Sequence, residues 1–173
     1  MLVKKLHHVA YRCKDAQETA DFYSRVLHMP LWHAIVGTRA HGKDCPFIHI
    51  FHLLEDGSSL AFFELPESPQ QEMDPNTPSW VQHIAFEVDS IEALHAAQLH
   101  LESVGVEVLG PKEGNSTLQS IYFFDPNGHR LELCVNRGLD PTSTTSEATE
   151  MLRRWNASKA PVARAASSMP ASN

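Results

Sequence analysis

Two stretches of this chain read alike, and each carries a histidine near its start. LHHVAYRCKD aligns with VQHIAFEVDS, so that His8 falls on His83 and Ala10 on Ala85. Each stretch begins a half that closes on a carboxylate. AFFELP ends the first and HRLELC the second, which sets Glu64 against Glu132. His8 stands 56 positions before Glu64, and His83 stands 49 before Glu132. Imidazole nitrogen and carboxylate oxygen together make a borderline-hard donor set suited to Zn, Ni, Co, Mn or Fe(II). Glu64 lies among large apolar neighbours in LAFFEL, and Glu132 does so in RLELC. A carboxylate facing a sheet interior is costly unless it is paired or binds a metal. A single strand histidine is more often a surface or packed residue, and a single strand glutamate more often faces water. The repeat is what makes His8, Glu64, His83 and Glu132 a candidate metal-ligand set.

The elements that must carry these residues follow from the pattern. Leu6 to Cys13 alternates as a strand, with His8, Ala10 and Arg12 on one face. Asp15 is placed to cap a helix, with Glu18 at the capping-box position, and Pro30 ends that helix. Strands are expected over Leu31 to Val36, Phe47 to Leu54 and Ser59 to Leu65, with Asp56-Gly57 as a hairpin turn. Four prolines make the stretch PESPQQEMDPNTPS, residues 66–79, a linker or loop rather than an element. The pattern then restarts. A strand carries His83, Ala85 and Glu87 on one face, and a helix runs to a Gly105 cap. Strands follow over Val106 to Leu109, Ser120 to Phe124 and, after the Asp125-Pro126-Asn127-Gly128 turn, Arg130 to Val135.

Each half therefore reads βαβββ. The expected fold class is α+β, with two βαβββ modules paired into a sheet-lined cup, because one module cannot cover its own sheet. Module one spans 4–66, the linker 67–79, module two 80–137, and a tail 138–173. The tail is rich in Ser, Thr, Ala and Pro and is expected to be flexible apart from a short helix near 146–157. Thr144 and Glu147 form its capping box, and Met151, Leu152 and Trp155 share one side. Packing on its own domain, a lid and a role in subunit exchange are the alternatives for that helix.

The composition is that of a globular chain. The 173 residues, 42% of them hydrophobic, suffice for one core. With 14 Lys+Arg against 21 Asp+Glu, the formal charge of -7 argues against a nucleic-acid partner. Eleven histidines are many for this length. Cys13, Cys45 and Cys134 make neither a CxxC pair nor an even framework, which suits reduced thiols in a cytoplasmic protein. No apolar run reaches the length of a membrane span, and no signal-peptide stretch follows the first residues. The expected protein is soluble and cytoplasmic, with a small-molecule substrate and no nucleic-acid or membrane partner.

HHVAYRCKDAQETADFY, AFFELP, QHIAFEVD and YFFDPNGHRLEL together resemble the vicinal oxygen chelate superfamily. That group includes glyoxalase I, bleomycin-resistance proteins, fosfomycin-resistance enzymes and extradiol dioxygenases. The likeness covers about residues 4 to 136. It implies a divalent metal (Ni, Co, Zn or Mn) at the centre of the cup, with His8, Glu64, His83 and Glu132 in the ligand positions of bacterial glyoxalase I. It further implies a lyase or isomerase working through a metal-stabilised enediolate or enolate, with Glu132 as the proton-shuttling base. Glu64 has a second possible role as base or gatekeeper. The ligands come from one chain or from two across a homodimer, since both arrangements occur among relatives.

The runner-up is a non-haem Fe(II) extradiol dioxygenase, which would need only His8, His83 and Glu132. Leu118 stands near the place where that family's signature has an acid-base histidine. Drug sequestration of the bleomycin-resistance kind is the non-enzymatic alternative. Arg12 is a candidate for substrate carboxylates, against packing or an ion pair with Glu87. His49 is a candidate substrate contact, against cross-strand packing. Tyr122 is a candidate hydrogen-bond donor to an oxyanion, against core filling.

Overall fold

The computed structural model describes residues 2–72, 74–113, 117–138 and 145–159. The chain divides into two compact units, residues 1–137 and 138–173.

The first unit holds two four-stranded sheets of the same topology. In the first module, β1 (His8–Arg12), α1 (Ala16–Asp21), β2 (Leu31–Ala40), β3 (Lys43–Leu53) and β4 (Ser59–Glu64) form a sheet in the order β1-β4-β3-β2. In the second, β5 (His83–Glu87), α2 (Ile91–Ser103), β6 (Leu109–Glu113), β7 (Leu118–Phe124) and β8 (Arg130–Asn136) form a sheet in the order β5-β8-β7-β6. In each sheet the first strand lies parallel to the last and the other neighbours are antiparallel. The α+β class and the two βαβββ modules are as expected.

Local signals act as their chemistry dictates. Asp15 accepts the Glu18 amide at 2.7 Å and opens α1. Ser90 accepts the Ala93 amide at 3.2 Å and opens α2. Gly105, at φ 82°, closes α2, with its own amide bonded to Glu102 O and the Val106 amide to Leu101 O. That cap occupies Val106, and Val106 and Val108 pack on the core. The strand expected over Val106 to Leu109 therefore begins only at Leu109. α1 does not run unbroken to Pro30, because a π-helical turn spans Phe22–Val26 and directs Tyr23 inward.

One core serves both modules, with Tyr23, Leu60 and Phe62 from the first and Leu94, Leu101, Ile121, Phe123 and Leu131 from the second. The turn before β8 docks the halves together. Asp125, buried, accepts the Tyr23 hydroxyl at 3.0 Å as well as the amides of Asn127 and His129. Asn127 Oδ1 accepts the Lys14 amide, and His129 Nε2 bonds Arg12 O. Burial and the Asp125 charge hold the Tyr23 phenol well above its usual range.

The second unit carries α3 (Thr145–Ser158), with Arg153 and Arg154 both paired to Glu150. Met151, Leu152 and Trp155 on this helix are exposed. Thr144, the expected cap, and the tail from 160 onward lie outside the described residues. Among the described residues, no helix is long and apolar enough to cross a membrane.

Candidate metal centre

The second module builds half of a site from strand register alone. β5 and β8 pair His83 with Arg130 and Ala85 with Glu132. β7 and β8 pair Tyr122 with Glu132 and Phe124 with Arg130. Cross-strand partners share a face, and so do alternate residues along a strand. His83, Ala85, Tyr122, Arg130 and Glu132 therefore stand on one side of the sheet. Ala85 is small, so the Glu132 side chain crosses above it and brings Oε2 within 3.0 Å of His83 Nε2. His83 Nδ1 lies 3.2 Å from Val81 O. A carbonyl only accepts, so Nδ1 carries the proton and Nε2 is the nitrogen turned to the carboxylate. A nitrogen and a carboxylate oxygen at that spacing hold a proton or a cation between them.

Tyr122 borders the same pair, its ring 6.3 Å from that of His83. Burial, and then the charge of Glu132, raise its phenol pKa, so it stays a protonated donor at neutral pH. Arg130 lies with its guanidinium carbon 4.3 Å from the centroid of the Tyr122 ring. Sequence reasoning missed Arg130. The signal was available: it stands two residues before Glu132, so the strand period puts both on one face.

In the first module, β1 and β4 pair His8 with Ser59, Ala10 with Ala61 and Arg12 with Phe63. His8 occupies the place that His83 has in the second module. The position matching Glu132, opposite the alanine two residues after the first-strand histidine, is Ala61. Glu64 stands three residues further on, an odd step that turns it to the other face. There its Oε2 accepts the Ala16 amide at 2.7 Å, at the start of α1. The structure therefore does not bring Glu64 to His8 or to the His83–Glu132 pair. Matching the two halves by their Phe-Glu-Leu and Leu-Glu-Leu endings overlooked that step.

The other expected residues separate as follows. Arg12 donates from Nη2 to Leu65 O and Ser68 O, each at 3.2 Å, and so ties down the start of the linker. His49 shares the His8 face, with ring centroids 6.4 Å apart. It is buried, stacks on Phe63 at 3.6 Å and donates from Nδ1 to Phe62 O. Burial lowers its pKa, which keeps it neutral. His8 Nδ1 lies 2.8 Å from His7 Nδ1. Among the described residues, no three His, Cys, Asp or Glu side chains gather closely enough to share one ion. His8, Ala10, His83 and Ala85 are all exposed.

A cavity of about 610 Å³ lies away from this chemistry, between the modules, and is walled by core-side residues such as Val26, Leu54, Phe86 and Leu133. Neither His83 nor Glu132 lines it.

Residues 5–133 match the model of the Glyoxalase/Bleomycin resistance protein/Dioxygenase superfamily. The putative ring-cleaving dioxygenase MhqA of Bacillus subtilis is 30% identical over 141 residues, which cover 79% of this chain and 42% of that protein. The chain thus spans less than half the length of that relative. The metallothiol transferase FosB of Bacillus licheniformis is 30% identical over 129 residues, covering 74% of this chain and 73% of FosB. The crystal structure of a glyoxalase family protein from Enterococcus faecalis superposes with a TM-score of 0.58 at 28% identity, covering 78% of this chain and 99% of that one. With the matching topology of the two modules, these findings show that the chain belongs to the Glyoxalase/Bleomycin resistance protein/Dioxygenase superfamily.

Proposed function

We propose that this chain is a metal-dependent enzyme in which His8, His83 and Glu132 hold one divalent cation (Ni, Co, Zn or Mn), and that it acts as a lyase or isomerase on a small oxygen-chelating substrate. The observation that carries this reading is the His83 Nε2–Glu132 Oε2 contact of 3.0 Å on an open sheet face. His8 stands at the equivalent position of the other module. The donor set fits a divalent ion: the Val81 carbonyl holds the His83 tautomer that leaves Nε2 to ligate. With His8 as donor to His7, its Nε2 is likewise bare. When bound, the ion supplies Lewis-acid polarisation of the substrate oxygens.

The side chains then divide the remaining work. The Glu132 carboxylate takes and returns the proton next to the substrate carbonyl. The Tyr122 hydroxyl, held protonated, donates to the oxygen on which negative charge develops. Glu64 has no part in this set, which leaves more of the ion's positions to substrate oxygens than a four-ligand site does.

Because the three ligands do not gather among the described residues of one chain, the reading completes the site across a homodimer. One copy supplies His8 and the other His83 and Glu132. The test mixes two inactive variants, His8→Ala and His83→Ala. A mixed dimer of this kind has one damaged site and one intact site. Refolded together, the variants should recover about a quarter of wild-type Zn binding, since about half the dimers are mixed and each has one good site of two. No recovery, with both variants folded and dimeric, would refute the shared site. Full Zn binding by either variant alone would refute the ligand set.

A second reading is favoured by one specific observation. With Glu64 turned away, two histidines and one carboxylate remain, the set used by non-haem Fe(II) dioxygenases. The site-facing positions of β7 are Leu118, Ser120, Tyr122 and Phe124, none of them an imidazole to serve as acid and base. Oxygen uptake dependent on both Fe(II) and a catechol would select the dioxygenase. Tight binding of an apolar ligand without any metal would select sequestration.

A further inference from the structure

We infer that Arg130 is the anion-recognition residue of this centre, and that the substrate carries a carboxylate or phosphonate group beside its chelating oxygens. The inference rests on the proposed site and deepens it.

Arg130 shares the face of His83 and Glu132 by register. Its guanidinium carbon lies 4.3 Å from the centre of the Tyr122 ring, a contact that offers its N–H groups no oxygen or nitrogen acceptor. Its Nε is buried and has no hydrogen-bond partner among the described residues. A buried charged donor without an acceptor is costly, and a bound oxyanion removes that cost.

Neighbouring carboxylates do not fill the role. Glu132 directs Oε2 to His83. Asp74, across a cavity of about 280 Å³ that Arg130 also lines, accepts the Asn76 amide and the Thr77 hydroxyl of its own turn. The cavity is bounded by this linker turn, by Ser79 and Gln82, and by Phe124. Its volume would hold about nine waters, room for a carboxylate or phosphonate together with part of the molecule that carries it, and Ser79 and Gln82 add uncharged donors. Arg130 lines this space, and the planar fork of a guanidinium matches the paired oxygens of a carboxylate or phosphonate.

The readout is the Nε–Hε resonance of Arg130 in the ¹⁵N-labelled full chain, with and without Zn. The probes are oxalate, phosphonoacetate and the uncharged chelator acetohydroxamic acid. The resonance should shift and saturate with at least one of the two anions even in metal-free protein, and the stronger of them names the group. Arg130→Gln should weaken that anion about tenfold or more, while acetohydroxamic acid binds the Zn form within about twofold. Arg130→Lys, which keeps the charge but loses the fork, should fall between the two. Three results would overturn the inference. One is anion binding unchanged in Arg130→Gln, and another is an Arg130 resonance that no anion moves. The third is loss of Zn affinity in Arg130→Gln with anion binding by the metal-free protein intact, which would make Arg130 only a countercharge to Glu132. Failure of Zn to bind the wild type would count against the ligand set alone, because the metal-free titration reads Arg130 without it.

Discussion

Replacing Glu64 by alanine distinguishes a ligand from a helix cap. Glu64 Oε2 accepts the Ala16 amide at 2.7 Å. That amide belongs to the first turn of α1, where the helix has no partner of its own to offer. The bond is short and charge-assisted, and the carboxylate stands at the positive end of the helix. Ala16 is buried, so water replaces the lost acceptor poorly. The expected cost is about 1–2 kcal/mol, or a fall in Tm of about 3 to 8 °C for a unit of this size. Metal affinity should change by less than about twofold, since the side chain points to the other face. Glu64→Gln keeps an uncharged acceptor and should lose about half as much stability. A second readout comes from Cys13, whose thiol burial pushes up to about 11 with a contribution from the Glu64 charge. In Glu64→Ala that value should fall. Urea unfolding of the metal-free protein, Zn titration and thiol titration measure the three effects. A Glu64→Ala protein with wild-type stability and a hundredfold loss of Zn affinity would refute this account and restore Glu64 as a fourth ligand.

Two further outcomes are expected from the core. His52 is fully buried, bonds Met29 O through Nδ1 and leaves Nε2 without a hydrogen-bond partner among the described residues, and burial lowers its pKa below the usual 6.5. A lowered folded value means that the unfolded chain binds the proton first. The contribution of His52 to stability is therefore present above about pH 6.5 and is lost as pH falls toward the folded pKa, with a slope of at most about 1.4 kcal/mol per pH unit. His52→Phe should flatten urea midpoints measured between pH 7.5 and 5.5, and an unchanged slope would exclude His52 as the source. Tyr23→Phe removes the hydroxyl that Asp125 accepts at 3.0 Å and should cost about 1–3 kcal/mol. Circular dichroism during urea unfolding tests this, and a neutral effect would show that the Asn127 and His129 amides satisfy Asp125 by themselves.

Much of the fold was legible in the residues. The period of two, the Asp15 cap, the Gly105 stop and the Asp56-Gly57 turn are local signals, and local sterics and hydrogen bonding decide them. The internal repeat then led to two like modules, because each half has the same order of local signals. The strand period likewise placed His83 and Glu132 on faces that register later joined. Register, however, belongs to two strands at once. Whether Ala61 or Glu64 stands opposite the first-strand alanine depends on how β1 and β4 slide past each other, and three positions of slip reverse the face. The same holds for Asp125, which reads as a turn residue but serves as the buried acceptor between modules, and for Arg12, which reads as a candidate for substrate carboxylates but bonds Leu65 O and Ser68 O at the start of the linker. Arg130 shows the converse, since its face follows from the strand period, while the burial of its Nε, which has no hydrogen-bond partner among the described residues, and the Tyr122 ring beside its guanidinium belong to the tertiary structure. Residue type and spacing determined which groups were available for chemistry. Tertiary pairing decided which of them share a face, because a side chain's direction is set along one strand but its neighbours come from others.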